Sequence, residues 1–348
     1  MKIIGIGNAL VDILYRLDDE HLLSEIHLKK DAMTLINERW EHEIEDMTRH
    51  VDKSMANGGS ISNTMVALAR LEREVGFIGR VGDDEMGRFF EGKLCDAGVH
   101  TQLIRGREAT GVAHTFVTPG GSRTFGTLLG AAYYLGPNDI TEEMFREAIV
   151  SFEGISPIVI VQEKEMFRGY DLLHIEGYLV QNQELIETIC QRAKQAGLIL
   201  SLDLSSFNVV SKNRTYFHHL ISDYIDIVFA NEGEARAFTG NFDPQEQLRH
   251  IAHLCDLAVV KLGEHGSIAM LEGGRIYKCH AEYVENVVDT TAAGDYFAAG
   301  FLHALTRGHR LKKCLQVGTI LATEAVQVMG SQLSPAAWNR IKTGIHCR

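Results

Sequence analysis

Short apolar segments and segments of helical periodicity follow one another through the second half of the 348-residue chain. The apolar segments cover 171–176, 198–204, 225–230 and 257–262, and helices are predicted near 182–196, 232–239 and 244–255. Strands separated by helices pair in parallel, and the helices cover both faces of the resulting sheet. The pattern therefore predicts an α/β fold with a mostly parallel central sheet.

The composition is that of a globular protein, with 45% hydrophobic and 23% charged residues. The net charge of −12 argues against a nucleic-acid partner, because nucleic acid repels an acidic protein. No apolar run reaches the length of a membrane span, and the first residues lack the layout of a signal peptide. The six scattered cysteines contain no Cys-x-x-Cys pair and suit reduced thiols. A cytoplasmic protein that binds neither membrane nor nucleic acid is expected.

The first apolar segment, residues 3–12, is predicted to be one buried strand with the polar residues Asn8 and Asp12 towards its end. Its glycines suggest a dinucleotide-binding fingerprint, but Leu10 stands where the third glycine is required, so a dehydrogenase is excluded. Ligands of open α/β sheets bind at the carboxyl ends of strands. We therefore expect Asp12 to be able to accept hydroxyl groups of a sugar.

Two segments interrupt the main pattern. Residues 112–118 alternate as an exposed strand does, and residues 119–122 read as a hairpin turn into a second strand. With the irregular segment that follows residue 12, this predicts a small β-sheet lid formed by 13–37 and 107–127. Residues 1–12, 38–106 and 128–348 then form the single α/β domain, with Gly58 and Gly59 as a hinge for the lid.

The segment 289–302 is predicted to be a loop that turns into a helix. Thr290 and Thr291 are good capping residues, and the start of a helix attracts anions through its unpaired N–H groups. Asp295 lies in the first turn, where a carboxylate can simply complement the helix dipole. Alternatively, Asp295 is a general base beside an anion hole formed by the N–H groups of Ala292, Ala293 and Gly294. That pairing suits phosphoryl transfer to a hydroxyl.

This segment resembles the C-terminal signature Asp-Thr-x-small-Ala-Gly-Asp of the ribokinase-like (PfkB) family of sugar and nucleoside kinases, whose last Asp is the catalytic base. The resemblance spans most of the chain. It implies a three-layer α/β/α fold with a β lid, and an ATP-dependent kinase that uses Mg²⁺. The other matching segments, in chain order, are 5–12, 58–64, 79–87, 231–234 and 259–267.

The resemblance also implies roles for individual residues. A lid arginine, Arg123, would reach the transferring phosphate. Many relatives bind K⁺, at a place that Asp289 and the backbone near Gly330 match. Substrate contacts are implied for Asn8, Asp12, Gly58, Gly59 and Asn63; ATP contacts for Asn231, Lys261, Gly263, Gly266 and Thr290; and a water-mediated Mg²⁺ site for Asn231 and Glu234.

Within the family, the beginning of the chain and the region 123–136 look most like adenosine kinase-type members. This implies a nucleoside substrate, with adenosine first. A ribokinase- or fructokinase-type sugar kinase is the alternative, and a catalytically silent binding protein on the same fold is a third. The intact Asp295 argues against the silent protein. A monomer, or a homodimer formed through the lid, is expected.

Overall fold

The computed structural model describes residues 1–30, 33–118, 123–141, 144 and 172–347. These residues form a large, mostly parallel sheet between two layers of helices, and a smaller sheet beside it. The predicted three-layer α/β/α fold is confirmed. The predicted hairpin turn at 119–122 lies outside the described residues. The strands in chain order are β1 Ile3–Ile6, β2 Leu10–Arg16, β3 Met33–Leu35, β4 Lys53–Gly58, β5 Val75–Gly82, β6 Val99–Gly106, β7 Thr110–Val117, β8 Arg123–Gly130, β9 Leu172–Glu176, β10 Ile199–Asp203, β11 Ile227–Asn231, β12 Leu257–Lys261, β13 Ser267–Leu271 and β14 Tyr277–Cys279.

The large sheet has the strand order β14-β13-β12-β11-β10-β9-β1-β5-β6. The strands from β12 to β6 run parallel, and β13 and β14 continue the sheet as an antiparallel hairpin. From β1 the chain continues to β5 and β6 on one side, whereas β9 begins the strands on the other side. The order therefore reverses between β1 and β9, and such a switch point is where open α/β sheets bind ligands.

Helices bury both faces of the large sheet, because neighbouring side chains of a strand point to opposite faces. Ile3 packs with one group of helices, whereas Ile4 packs with the other. Both side chains are almost completely buried. The helices on the Ile3 face are Ser60–Arg70, Glu85–Ala97, Ala293–Leu305, Leu311–Ala325 and Pro335–Cys347; those on the Ile4 face are Gln183–Gln195, Phe207–Lys212, Arg214–Tyr224, Glu232–Thr239 and Pro244–Ala252.

The small sheet has the order β3-β8-β7-β2-β4. The short helices His21–Glu25 and Glu38–Met47 pack against it through a separate apolar cluster that includes Ile13, Tyr15 and Ile44. The sheet is wider than the predicted lid segments 13–37 and 107–127. It begins at Leu10, extends to Gly130 and includes β4, which the sequence interpretation assigned to the α/β domain.

The predicted single strand over residues 3–12 is two strands in the structure, and this is a correction. β1 ends at Ile6 in the large sheet, and β2 begins at Leu10 in the small sheet. Between them, the Asn8 N–H donates to Glu176 Oε2 at 2.7 Å, which draws the chain towards the end of β9. Asp12 therefore lies on a strand of the small sheet, paired with Ala56 and Ala113, and not at the end of the first strand.

No helix in the described part of the chain combines the length and apolar character that crossing a membrane requires.

Candidate active site

A cavity of about 1110 Å³ lies at the carboxyl ends of the parallel strands, between the large and the small sheet. Asn8 and Glu176 line it from the switch point between β1 and β9. The long connection from β1 through the small sheet brings apolar side chains over the opposite wall. The strand ends of the large sheet therefore form a polar wall of the cavity, and the small sheet forms an apolar wall.

Asp295 lies in the first turn of the helix Ala293–Leu305 and lines this cavity. Ser60 Oγ donates to its Oδ1 at 2.7 Å, and Asn63 Nδ2 donates to its Oδ2 at 2.9 Å. Burial raises the pKa of Asp295 to about 8, although these two hydrogen bonds lower it. A carboxylate that is fixed by two donors and has a pKa near neutrality is suited to accept a proton.

The segment before this helix supplies N–H groups to the cavity. Thr290, Ala293 and Gly294 line it, whereas Ala292 is almost completely buried and is not among the described lining residues. The Ala293 N–H donates to the Thr290 carbonyl oxygen at 3.2 Å. The first N–H groups of a helix have no acceptor within the helix. The N–H groups of Gly294 and Asp295 in the first turn therefore have no acceptor within the helix, and the anion hole at Ala292, Ala293 and Gly294 stays a prediction.

Lys261 and Asp203 form a buried ion pair beside the helix start. Lys261 ends β12, Asp203 ends β10, and the Lys261 Nζ donates to Asp203 Oδ2 at 2.8 Å. Their side chains are 15% and 7% exposed. Burial alone would lower the pKa of Lys261, but the neighbouring carboxylates of Asp203 and Glu234 outweigh it and raise the pKa. The lysine is therefore charged at neutral pH.

Four of the five residues predicted to contact the substrate line the cavity, namely Asn8, Asp12, Gly59 and Asn63. Gly58 is not among the described lining residues. It packs against the Asp12 carboxyl group, where a Cβ atom would collide with Asp12. Burial raises the pKa of Asp12 to about 7. Gly58 thus leaves space for the carboxyl group of Asp12.

Apolar side chains of the small sheet also line the cavity. Phe125 is the aromatic residue among them. They form an apolar wall of the cavity, and such a wall suits an apolar or aromatic part of a substrate. The residues of this wall are Leu10, Met33, Leu35, Ala113, Phe125 and Leu129.

The predicted ATP-binding residues Asn231, Lys261, Gly263, Gly266 and Thr290 all line the cavity. Gly266 has a φ of 94°, and a Cβ there would run into the backbone of the strand that ends at Cys279. The positive φ and the lack of space for a Cβ atom therefore both require glycine at this turn.

Glu234 lines the cavity and caps its own helix. Its Oε2 accepts the Asn231 N–H and its Oε1 accepts Asn231 Nδ2, both at 2.7 Å. Burial raises the pKa of Glu234. In the described part of the chain, no group of three or more His, Cys, Asp or Glu side chains is arranged to hold a metal. Because both Glu234 oxygens already accept hydrogen bonds, the pair fits a Mg²⁺ ion that is held through water and phosphate oxygens.

Asp289 is held by three groups. Its carboxylate accepts the N–H groups of Thr291 at 2.9 Å and Gly330 at 2.6 Å, and it contacts the Arg123 guanidinium. Asp289 and Gly330 do lie together, as the resemblance implies for K⁺. However, Arg123 already neutralises the carboxylate, so these side chains do not fit an additional cation there.

The predicted phosphate contact of Arg123 stays a prediction, and the structure shows the surroundings of this side chain. It is 8% exposed and is absent from the described residues that line the cavity. Burial lowers its pKa to about 10. The arginine lies on β8 and pairs with Asp289, which directly precedes the anion-hole segment. In this arrangement Arg123 joins the small sheet to that segment, and its charge also acts on the buried carboxyl group of Asp12, which lines the cavity.

The structure adds three site residues that the sequence interpretation missed, namely Ser60, Glu176 and Asp203. Glu176 and Asp203 each end a parallel strand, so the argument applied to Asp12 would have identified them. Burial raises the pKa of Glu176 to about 7. Ser60 carried no such signal, because its contact with Asp295 spans 235 positions of the chain.

Comparison with known proteins agrees with this geometry. The pfkB family carbohydrate kinase profile matches residues 32–338, so the chain belongs to the pfkB family of carbohydrate kinases. It is a phosphotransferase with an alcohol group as acceptor. The family acts on small-molecule sugars or nucleosides and generally uses ATP and Mg²⁺.

Individual relatives differ in their acceptors. The structure of adenosine kinase from Sinorhizobium meliloti is 31% identical, covers 98% of both chains and has a TM-score of 0.84. A probable sugar kinase from Rhizobium etli CFN 42 is 30% identical, covers 99% of this chain and 98% of its own, and has a TM-score of 0.85. The 5-dehydro-2-deoxygluconokinase of Bacillus velezensis is 27% identical over 80% of this chain and 82% of its own.

Proposed function

We propose that this protein is an ATP-dependent nucleoside kinase that phosphorylates the 5′-hydroxyl of a purine nucleoside, with adenosine as the first candidate. The observation that carries this proposal is the position of Asp295. Its carboxylate is fixed by Ser60 and Asn63, lies in the first turn of a helix, and lines the same cavity as the apolar wall of the small sheet.

In the proposed reaction the acceptor hydroxyl lies between Asp12, Asn63 and Asp295. Asp295 takes the hydroxyl proton while the acceptor oxygen bonds to the γ-phosphorus of ATP, and ADP leaves with the electron pair of the broken P–O bond. The N–H groups at the helix start stabilise the charged phosphoryl oxygens. Bound Mg²⁺, held through Glu234, Asn231 and water, would neutralise phosphate charge.

The charges of the cavity favour a neutral acceptor over a sugar acid. On the acceptor side the carboxyl groups of Asp12, Glu176 and Asp295 lie at the cavity surface, and a carboxylate on the substrate would be repelled by each ionised one. The wall around Phe125 offers a stacking surface for a purine base. The adenosine kinase from Sinorhizobium meliloti supports the same acceptor class.

A sugar kinase is the second candidate. It is supported by the name of the Bacillus velezensis relative and by that of the similar structure from Rhizobium etli CFN 42. One candidate predicts a preference for nucleosides and the other a preference for free sugars or sugar acids, so one experiment separates them.

The experiment measures ATP-dependent phosphorylation of adenosine, other nucleosides, ribose, fructose and 5-dehydro-2-deoxygluconate with Mg²⁺ present. We expect kcat/KM for adenosine to exceed that for each sugar by at least about tenfold, a difference of about 1.4 kcal/mol. A larger kcat/KM for a sugar would replace the nucleoside proposal.

The control variant is Asp295→Asn, which keeps the shape of the side chain but loses the basic oxygen. It should bind adenosine nearly as well as the wild type and lose kcat by at least about a hundredfold, because positioned base catalysis contributes roughly 10²–10⁴-fold. Turnover within about threefold of the wild type, well short of that contribution, would remove Asp295 as the base.

A further inference from the structure

Lys261 is the one lysine or arginine among the described residues that line the cavity. The same cavity presents the carboxyl groups of Asp203, Glu234 and Asp295. A triphosphate brings several negative charges into this acidic space, and an uncompensated charge is costly where water is scarce. A side-chain cation near the phosphates would compensate charge in addition to Mg²⁺, and Lys261 is positioned to supply it.

The Lys261 ammonium group lies against the start of the helix Ala293–Leu305. A Cβ atom on Gly294 would lie 3.2 Å from the Lys261 Nζ. Because Gly294 has no side chain, the ammonium group can lie this close to the backbone of that first turn. The lysine and the helix start therefore form one continuous positive surface beside Asp295.

We propose that Lys261 is a catalytic residue that binds the transferred phosphoryl group together with the N–H groups of this helix start, and that Asp203 is the residue that positions it. The inference deepens the proposed kinase function and rests on it. An ammonium group has three donors. The bond to Asp203 uses one of them, which leaves two for phosphoryl oxygens.

The role of Lys261 follows from the reaction written above. A bond forms between the acceptor oxygen and the γ-phosphorus, and the bond from that phosphorus to the bridging oxygen of ADP breaks. The proton of the acceptor passes to Asp295. Lys261 keeps its own protons and stabilises the charge on the non-bridging oxygens, which is the main task in phosphoryl transfer.

Asp203 is held so that it can fix the lysine. Its Oδ1 accepts the Ser205 N–H at 2.8 Å, and the Ser205 Oγ accepts the Gly177 N–H at 2.9 Å. Ser205 has a φ of 65°, a conformation that a residue with a side chain adopts only at a cost. The turn after β10 is thus shaped around the carboxylate that faces Lys261.

A purely structural ion pair is the rival explanation, and a double variant separates the two. Removing one member of a buried pair leaves an uncompensated charge and destabilises the fold, whereas replacing both members is often neutral. If the pair is structural, the double variant recovers both stability and activity. If Lys261 binds the phosphoryl group, the double variant recovers stability alone.

The experiment compares the wild type with Lys261→Met, Asp203→Asn and the double variant, measuring kcat, the KM of the acceptor and the melting temperature. We expect Lys261→Met to lose kcat by about 10²–10³-fold, as for other donors to a developing anion, with the acceptor KM nearly unchanged. Asp203→Asn keeps the lysine and should lose less. The double variant should melt near the wild type and stay as slow as Lys261→Met. A double variant with wild-type turnover would overturn the proposal.

A second readout does not depend on the acceptor. The affinities of ATP and ADP are measured by calorimetry in the wild type and in Lys261→Met. Loss of a charged donor to the γ-phosphate should reduce the preference for ATP over ADP by about tenfold or more. An unchanged preference would count against Lys261. Failure of the wild type to phosphorylate nucleosides would overturn the proposed acceptor and leave this result to stand separately.

Discussion

At the scale of single residues, the site is a set of carboxyl groups that the fold keeps close to their protonated form. Burial raises the pKa of Asp295 to about 8 and those of Asp12 and Glu176 to about 7. Such groups oppose folding at high pH, because the unfolded chain ionises them more easily than the folded chain does. The raised pKa values therefore lower the free energy of unfolding at neutral pH, and they place the pKa of Asp295 in the range that suits a general base.

This linkage gives a prediction for stability. The ordinary pKa of an aspartate is 3.8, and that of folded Asp295 is about 8. Between these two pKa values the folded state holds a proton that the unfolded state has released. The stability that this proton contributes is therefore fully present below pH 3.8 and is lost as the pH rises towards 8. Asp295→Asn has no such titration. We therefore expect the melting temperature of Asp295→Asn to rise relative to that of the wild type between pH 5 and pH 8.

The measurement is thermal unfolding of both proteins over this pH range. Well above pH 8 the difference between the two melting temperatures should become constant, because Asp295 is then ionised in both the folded and the unfolded protein. A difference that is the same at pH 5 and pH 8 would show that the carboxyl group titrates normally in the folded protein.

At the scale of elements, Gly59 joins β4 of the small sheet to the helix Ser60–Arg70, which provides Ser60 and Asn63 to Asp295. Gly59 has a φ of 87°, and a Cβ there would collide with the Asn8 carbonyl oxygen. Gly59→Ala should therefore cost about 1–3 kcal/mol of stability and reduce kcat, because it displaces the residues that hold the base. Denaturant unfolding and steady-state kinetics measure the two effects.

The matched control is Gly92→Ala. Gly92 lies exposed in the helix Glu85–Ala97, where an added Cβ meets no atom within 4 Å. Alanine there should leave activity unchanged and stabilise the helix by about 0.5–1 kcal/mol. Equal stability of Gly59→Ala and the wild type would contradict the assigned role of the hinge.

Many of the strands and helices could be predicted from the sequence, because the spacing of apolar residues is a local signal. The strands near 199–203, 227–231 and 257–261 and the helices near 182–196, 232–239 and 244–255 follow from apolar periodicity, whereas the helices Phe207–Lys212 and Arg214–Tyr224 were not predicted. The break between β1 and β2 could not be predicted, because it depends on the bond from Asn8 to Glu176, which lies 168 positions away. The pairing of Arg123 with Asp289 is equally non-local. The motif residues could be predicted because they belong to short signatures, whereas their supporting partners come from distant parts of the chain.

At the scale of the molecule, the cavity lies between two bodies with separate cores. The small sheet has its own apolar cluster, and the large sheet has one on each face. Ligand that bridges both bodies should restrict their relative motion. We expect adenosine together with a non-hydrolysable ATP analogue to slow amide hydrogen exchange in β2, β7 and β8 more than in β10 and β11, which are already protected by burial.

Mass spectrometry of exchanged peptides measures this effect, and ADP alone is the control, because it occupies only the nucleotide side. Protection of the small sheet by ADP alone to the same extent as by both ligands would mean that the sheet does not respond to the acceptor.

The order of the two sheets along the chain has a consequence for how such an enzyme can change. All strands of the small sheet, and with them the apolar wall of the acceptor pocket, are encoded before residue 131, whereas the nucleotide side is encoded after residue 230. The apolar wall and the residues predicted to contact ATP thus occupy different portions of the gene. Substitutions confined to the first 130 residues can reshape that wall while Lys261, Asp203 and Asp295 stay unchanged.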